Sequence, residues 1–140
     1  MSDALPMQLF EILLAALDDE WHAEATYAAA IQQFGPVRPF INIIEAERRH
    51  AAAIEHQLQR LGIAAPANPW SRADVPVPAT LAEACEEAIA AELENIALYD
   101  RLLPKVSDSA ARHVLERLQA ASRDRHLPAF RRCLARQQRG

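Results

Sequence analysis

Proline and glycine fall in only a few places along this chain, and their spacing constrains its fold more than any other feature. Met7 to Phe34 contains neither residue, nor does Phe40 to Leu61, nor Leu81 to Leu103. Proline removes a helical hydrogen bond and glycine adds backbone entropy, so long stretches free of both are where helices persist. The breakers gather between those stretches: GPVRP at Gly35 to Pro39, four prolines within Gly62 to Thr80, and PKVSD at Pro104 to Asp108. The pattern predicts an all-α chain of four helices at about 7–34, 40–61, 81–103 and 109–137, in a single domain spanning the 140 residues. Gly62 reads as a helix stop, Thr80 with Glu83 as a capping box, and Asp108 or Ser109 as the cap of the fourth helix. Pro128 is expected to kink that helix.

The connections limit how such helices can be arranged. The first pair and the last pair are each joined by a short turn and should lie antiparallel. The segment 62–80 is long enough, when extended, to run the length of a bundle. A loop of that length without structure of its own needs a reason. An antiparallel four-helix bundle with one long crossover between helices 2 and 3 supplies it. Trp70 should pin that crossover, and Trp21 and His22 should lie under it or at a dimer face.

Composition narrows the function classes. About half the residues are hydrophobic and the net charge is −4, which argues against nucleic acid as a partner. The arginines near the end, Arg131, Arg132, Arg136 and Arg139, suit the last turns of a helix, where cations offset the dipole. No apolar run approaches the roughly 20 residues needed to span a membrane, and the start carries acids where a signal peptide would be basic. Cys85 and Cys133 sit at apolar helical positions and are expected to be small buried thiols in a reducing cytoplasm.

Each predicted helix carries an apolar seam, and the seams are interrupted at mid-height. The first reads Phe10, Leu13, Leu17, Glu20, Glu24, Tyr27, Ile31; the second Phe40, Ile43, Glu47, His50, Ile54, Leu58. The third reads Leu81, Cys85, Ala88, Glu92, Asn95 or Ile96, Tyr99; the fourth Leu115, Leu118, Ser122, His126, Phe130. Burying an unpaired carboxylate costs several kcal/mol, so acids in such seams are paired, neutralised or bound to metal. Glu47 and His50 are three residues apart and share one helix face. Glu20, Glu47, His50, Glu92 and His126 are therefore the candidate metal ligands. Without a metal, the same acids would pair with Arg123 or a protonated His50.

The two halves of the chain also repeat. A shift of 72 residues lays EWHAEATY (Glu20 to Tyr27) on ELENIALY (Glu92 to Tyr99). A shift of 76 lays His50 on His126, Ile54 on Phe130 and Leu58 on Leu134. The chain reads as two helical hairpins, each offering a Glu and then a His to the centre.

A Glu on helix one, Glu-x-x-His on helix two, a Glu on helix three and a His on helix four resemble the ferritin-like superfamily, with rubrerythrins and bacterioferritins as familiar members. More narrowly, AEATYAAAIQQFGPVRPFINIIEAERRH, LAEACEEAIAAELENIALYD and LQAASRDRHLPAF are similar to an uncharacterised ferritin-like family, a domain of unknown function. The resemblance implies a di-iron carboxylate site with Glu20, Glu47, His50, Glu92 and His126 as ligands. It places Tyr27 and Tyr99 beside the metal as hydrogen-bond or electron donors in catalysis. It implies one or two iron ions, or Mn or Zn, and an oxidoreductase in which Fe(II) meets dioxygen or peroxide. The chain departs from the pattern on helix four, where Arg123 stands three residues before His126 in place of a glutamate. Either Glu24 or water fills the gap, or one metal binds and Arg123 balances the spare charge. Asp124 is either a support for a ligand histidine or a surface acid. With no Cys-x-x-Cys pair, electrons would come from a redox partner protein or from iron itself. A metal-binding bundle without turnover is the alternative, and close-packing alanines allow a homodimer.

Overall fold

The computed structural model describes residues 4–71 and 74–139, with side chains from residue 8 onward. Helices α1 (Ala4–Phe34), α2 (Phe40–Arg60), α3 (Leu81–Leu102), α4 (Ser109–Ala121) and α5 (Leu127–Arg139) pack together, and no strand occurs among the described residues. A 3₁₀ turn, Leu103–Lys105, follows α3, and a π turn, Ser122–His126, joins α4 to α5 in one continuous helical stretch.

The helix ends are set by the residues that the sequence singles out. Gly62 has φ +75°, and it lets the Ile63 N–H reach the Leu58 carbonyl (2.9 Å) and its own N–H reach Gln59 (3.0 Å). These two bonds close α2 with the left-handed residue that glycine adopts most cheaply. Thr80 Oγ1 accepts from the Glu83 N–H at 3.1 Å, and Glu83 reaches back to accept from the Ala79 N–H at 3.0 Å. Asp108, rather than Ser109, caps α4 through the Ala111 N–H.

Pro128 does not break the fourth stretch. A proline ring clashes with the carbonyl four residues earlier, which here belongs to Asp124. The helix widens just before it, and the Leu127 N–H bonds to the Ser122 carbonyl five residues back. The expected kink is a π turn, which amounts to one extra residue in the helix.

Two apolar clusters form the core. One holds Leu13, Leu17, Ile54, Leu58, Tyr99 and Leu115; the other holds Tyr27, Phe40, Ala88, Phe130 and the two cysteines. Each fully buried large apolar side chain contributes about 1.5–3 kcal/mol. Along α1 the chain passes from the first cluster to the second, and along α2 and α3 from the second to the first. The α4–α5 stretch runs from the first to the second again. On every one of these stretches a polar layer separates the clusters.

Cys85 and Cys133 are not free thiols. They form a disulfide between α3 and α5, with their Cα atoms 6.0 Å apart. This corrects the expectation from sequence, and it removes the argument for a reducing compartment. Among the described residues, no helix is long and apolar enough to cross a membrane.

The segment between α2 and α3 lies against α1. The Trp70 indole N–H donates to Asp18 at 2.9 Å, and its ring stacks on His22 with centroids 4.2 Å apart. Val75 is buried against Ala25 and Ala29. Trp70→Ala removes both the hydrogen bond and the stack, an expected loss of about 1–3 kcal/mol. Limited proteolysis should then cut within 62–80 well before it cuts the helices; unchanged cleavage would mean that the prolines alone hold the segment.

Candidate metal centre

Glu20 on α1, Glu47 and His50 on α2, Glu92 on α3 and His126 at the end of the π turn meet in the polar layer. The three acids are at most 1 % exposed, and the histidines at most 8 %. Their ligand atoms fall into two groups, Glu20–Glu47–His50 and Glu47–Glu92–His126, each with its atoms within 4.8 Å of one another. Glu47 belongs to both. His50 Nδ1 lies 3.1 Å from Glu20 Oε1 and 3.8 Å from Glu47 Oε1. His126 Nδ1 lies 3.0 Å from Glu47 Oε1 and 3.4 Å from Glu92 Oε1. The two imidazoles are stacked, with centroids 5.4 Å apart.

The tyrosines occupy matching places across the layer. Tyr99 on α3 donates to Glu20 Oε2 at 2.7 Å, and Tyr27 on α1 donates to Glu92 Oε2 in a very short bond. The 72-residue repeat therefore appears in space as an exchange, each helix supplying the phenol for the other's carboxylate. In both acids Oε2 is held by a phenol, while Oε1 is the oxygen nearest a histidine nitrogen. Burial, followed by the nearby carboxylate charges, raises both phenols well above their ordinary range. They keep their protons and act as donors.

Three buried atoms in this layer, Glu47 Oε1, Glu92 Oε1 and His126 Nδ1, make no hydrogen bond. The 3.0 Å approach of His126 to Glu47 lacks hydrogen-bond geometry. Buried polar atoms are almost always satisfied, and three orphans facing one another form a set that a cation would complete. The donor set, carboxylate oxygens with imidazole nitrogens, suits Fe, Mn or Zn.

The acids differ in their electrostatics. Burial, then the charges of Glu20 and Glu92, raise the Glu47 carboxyl well above its ordinary value. Burial also acts to raise Glu20, but the hydrogen bond and charge of His50, together with the Tyr99 phenol, outweigh it and lower that group. One acid of the layer thus favours its charged form while the shared one resists it, the separation expected of carboxylates held too close together.

Arg123 does not approach the site. It is exposed and pairs with Asp124 at 3.0 Å, so it balances no buried acid, and Asp124 supports no histidine. Glu24 likewise pairs with Arg48 at 3.1 Å at the surface and fills no gap in the layer. The reason lies in the π turn. Its extra residue shifts the repeat by one, so Ser122, buried at 1 % exposure, takes the place that corresponds to Glu47.

Ser122 belongs to a network that the sequence reading did not assemble. Its hydroxyl donates to Asn95 Oδ1 at 3.0 Å, and Asn95 Nδ2 donates to Glu20 Oε2 at 2.8 Å and Asp19 Oδ2 at 2.7 Å. Burial, offset in part by the Asn95 hydrogen bond and reinforced by the Glu20 charge, raises Asp19 to about 6. Asn95 stood in the third seam as an alternative to Ile96, and Asp19 was hidden by its neighbour Glu20.

Compared with family models, with curated proteins and with solved structures, the chain matches none.

Proposed function

We propose that the chain is a ferritin-like metal-carboxylate protein, with iron held by Glu20, Glu47, His50, Glu92 and His126. The observation that carries this reading is the shared position of Glu47 between two Glu–His pairs, with three orphaned ligand atoms around it. The order in which the helices traverse the two apolar clusters supports an antiparallel bundle in which α2 and α3 run the same way. Such a pair needs a connection spanning the bundle, which is the ferritin-like crossover at 62–80. Similarity of the quoted motifs to that superfamily points the same way.

The reaction proposed is oxidation of Fe(II) by dioxygen or peroxide. Iron bound in the layer would supply the electrons. The protein's part is to hold carboxylate charge that favours the ferric state, to fix Glu20 and Glu92 through the two phenols, and to exclude bulk water with the apolar clusters on either side. In this reading Tyr27 and Tyr99, hydrogen-bonded to Glu92 and Glu20, would donate a hydrogen bond or an electron to the site. Repeated turnover would draw its electrons from a redox partner or from further ferrous iron.

A second reading, metal binding without turnover, is favoured by Ser122. The fourth stretch supplies no carboxylate to match Glu47, so the ligand set is short of one acid. Elemental analysis of protein purified without chelator tests both readings, with E47A and H126A alongside. Bound metal that is lost in both variants is expected; equal metal content in all three would remove the site. Oxygen uptake on anaerobic ferrous loading followed by air then separates them: oxidant consumed in proportion to iron supports the oxidoreductase, and iron retained with none consumed supports binding alone.

A further inference from the structure

Two grooves open on the histidine side of the polar layer. The larger, about 590 Å³, is lined by Arg49, His50, Arg117, Asp124 and Arg125 among others. The smaller, about 250 Å³, shares Arg49, His50 and Arg125 and reaches His126. Both grooves touch the His50 ring, and the smaller also reaches the His126 ring stacked on it.

Three separate segments bring the arginines together: Arg49 from α2, Arg117 from α4 and Arg125 from the π turn. All three are exposed, and among the described residues none enters a salt bridge or a side-chain hydrogen bond. Arg48, Arg60, Arg112 and Arg123 pair with Glu24, Asp108, Glu116 and Asp124; what distinguishes Arg49, Arg117 and Arg125 from the other unpaired arginines described is that all three line one groove. Asp124 is the one acid lining either groove, and Arg123 already engages it. The larger groove thus joins the His50 imidazole with three guanidiniums that have no salt-bridge partner among the described residues.

We propose that the larger groove binds a small polyvalent oxyanion, of the carboxylate or phosphate class, seated against the edge of His50. Guanidiniums present a planar fork that matches carboxylate and phosphate oxygens bidentately, and three of them around one hollow select for more than one negative charge. The same charge repels a bare divalent cation on this path. If the metal reading holds, a cation entering here would travel as an anionic chelate, or would take the anion as a further ligand. That consequence rests on the proposed metal site; the anion affinity does not.

Isothermal titration of the metal-free full chain tests the groove, with citrate in one arm, inorganic phosphate in a second and glycerol as the uncharged control. Saturable binding of at least one anion, and none of glycerol, is expected; the tighter of the two names the class. R49Q/R117Q/R125Q, all surface changes, should weaken that binding at least tenfold, while R131Q/R132Q should leave it within twofold. No saturable binding of either anion would overturn the proposal, and so would an equal loss in R131Q/R132Q, which would reduce the effect to diffuse charge. Citrate binding by a chain that takes up no iron would defeat the metal reading and leave the groove assigned. Iron uptake without anion binding would do the reverse.

Discussion

E47Q is expected to raise the thermal stability of the metal-free protein by roughly 3–10 °C and to abolish its response to iron, two effects of opposite sign from one atom exchange. Glu47 is 1 % exposed, lies between two other acids, and has an oxygen with no hydrogen bond. At pH 7 the cost of folding this group is bounded by the work of keeping it protonated. From its ordinary value of 4.5 that is at most about 3 kcal/mol. An amide of the same shape carries no charge and can donate to one of the orphaned acceptors, so most of that cost disappears. A raised acid contributes fully below its unfolded value, and the contribution is lost as pH climbs through the folded value. Metal-free wild type should therefore lose stability as pH rises above 4.5, and E47Q should show a much flatter profile. With metal the order reverses: ligand at a thousandfold excess over its dissociation constant stabilises the wild type by about 4 kcal/mol and the variant by nothing. Thermal scans at several pH values, with and without ferrous iron under nitrogen, read both effects. A variant less stable than wild type without metal would mean that Glu47 is a satisfied structural acid.

Reduction of the Cys85–Cys133 bridge is the other large effect. The bond closes a span of 48 residues, for which loop entropy corresponds to about 4 kcal/mol at 25 °C. Native strain and residual structure in the unfolded chain usually trim such figures, so a loss of about 2–4 kcal/mol is expected on reduction. C85A/C133A should lose a similar amount; alanine is the appropriate replacement because a hydroxyl at a site 0 % exposed would need a partner. Urea unfolding of the oxidised, reduced and double-variant proteins gives the comparison. Thiol titration in denaturant supplies the check, since two free thiols in protein kept from reductants would remove the bridge altogether. The bridged cysteines share an apolar cluster with Tyr27, Phe40 and Phe130, so loosening there reaches the phenol that holds Glu92.

The helices and their ends were legible in the sequence because they depend on local chemistry. Gly62, Thr80 with Glu83 and Asp108 stop or start helices by bonds that span only a few residues. The buried cluster of three acids and two histidines was legible because such residues at seam positions conflict with burial, and that conflict is visible in one dimension. The fourth stretch was harder. Leu118, Ser122, His126 and Phe130 are all buried and recur every four residues. An α-helix of 3.6 residues per turn overshoots a full turn by about 40° at each such step, so the run calls for a wider turn. Read with ordinary helical spacing, it put Arg123 where Ser122 belongs. The bridge could not be read, because two cysteines 48 residues apart say nothing about distance until α3 and α5 are docked. The basic groove was invisible for the same reason, since Arg49, Arg117 and Arg125 come from segments that meet only after folding.

The serine at position 122 bears on electroneutrality. Glu20, Glu47 and Glu92 together carry three negative charges, and a pair of divalent ions would bring four positive ones. A second acid opposite Glu47 would have cancelled the remainder from within the chain; Ser122 and Asn95 are neutral and cannot. The filled layer would then draw its remaining counter-charge from Asp19, held beside Glu20 by Asn95, or from a solute. In that respect electroneutrality of the layer would depend on a group that is not itself among the five candidate ligands.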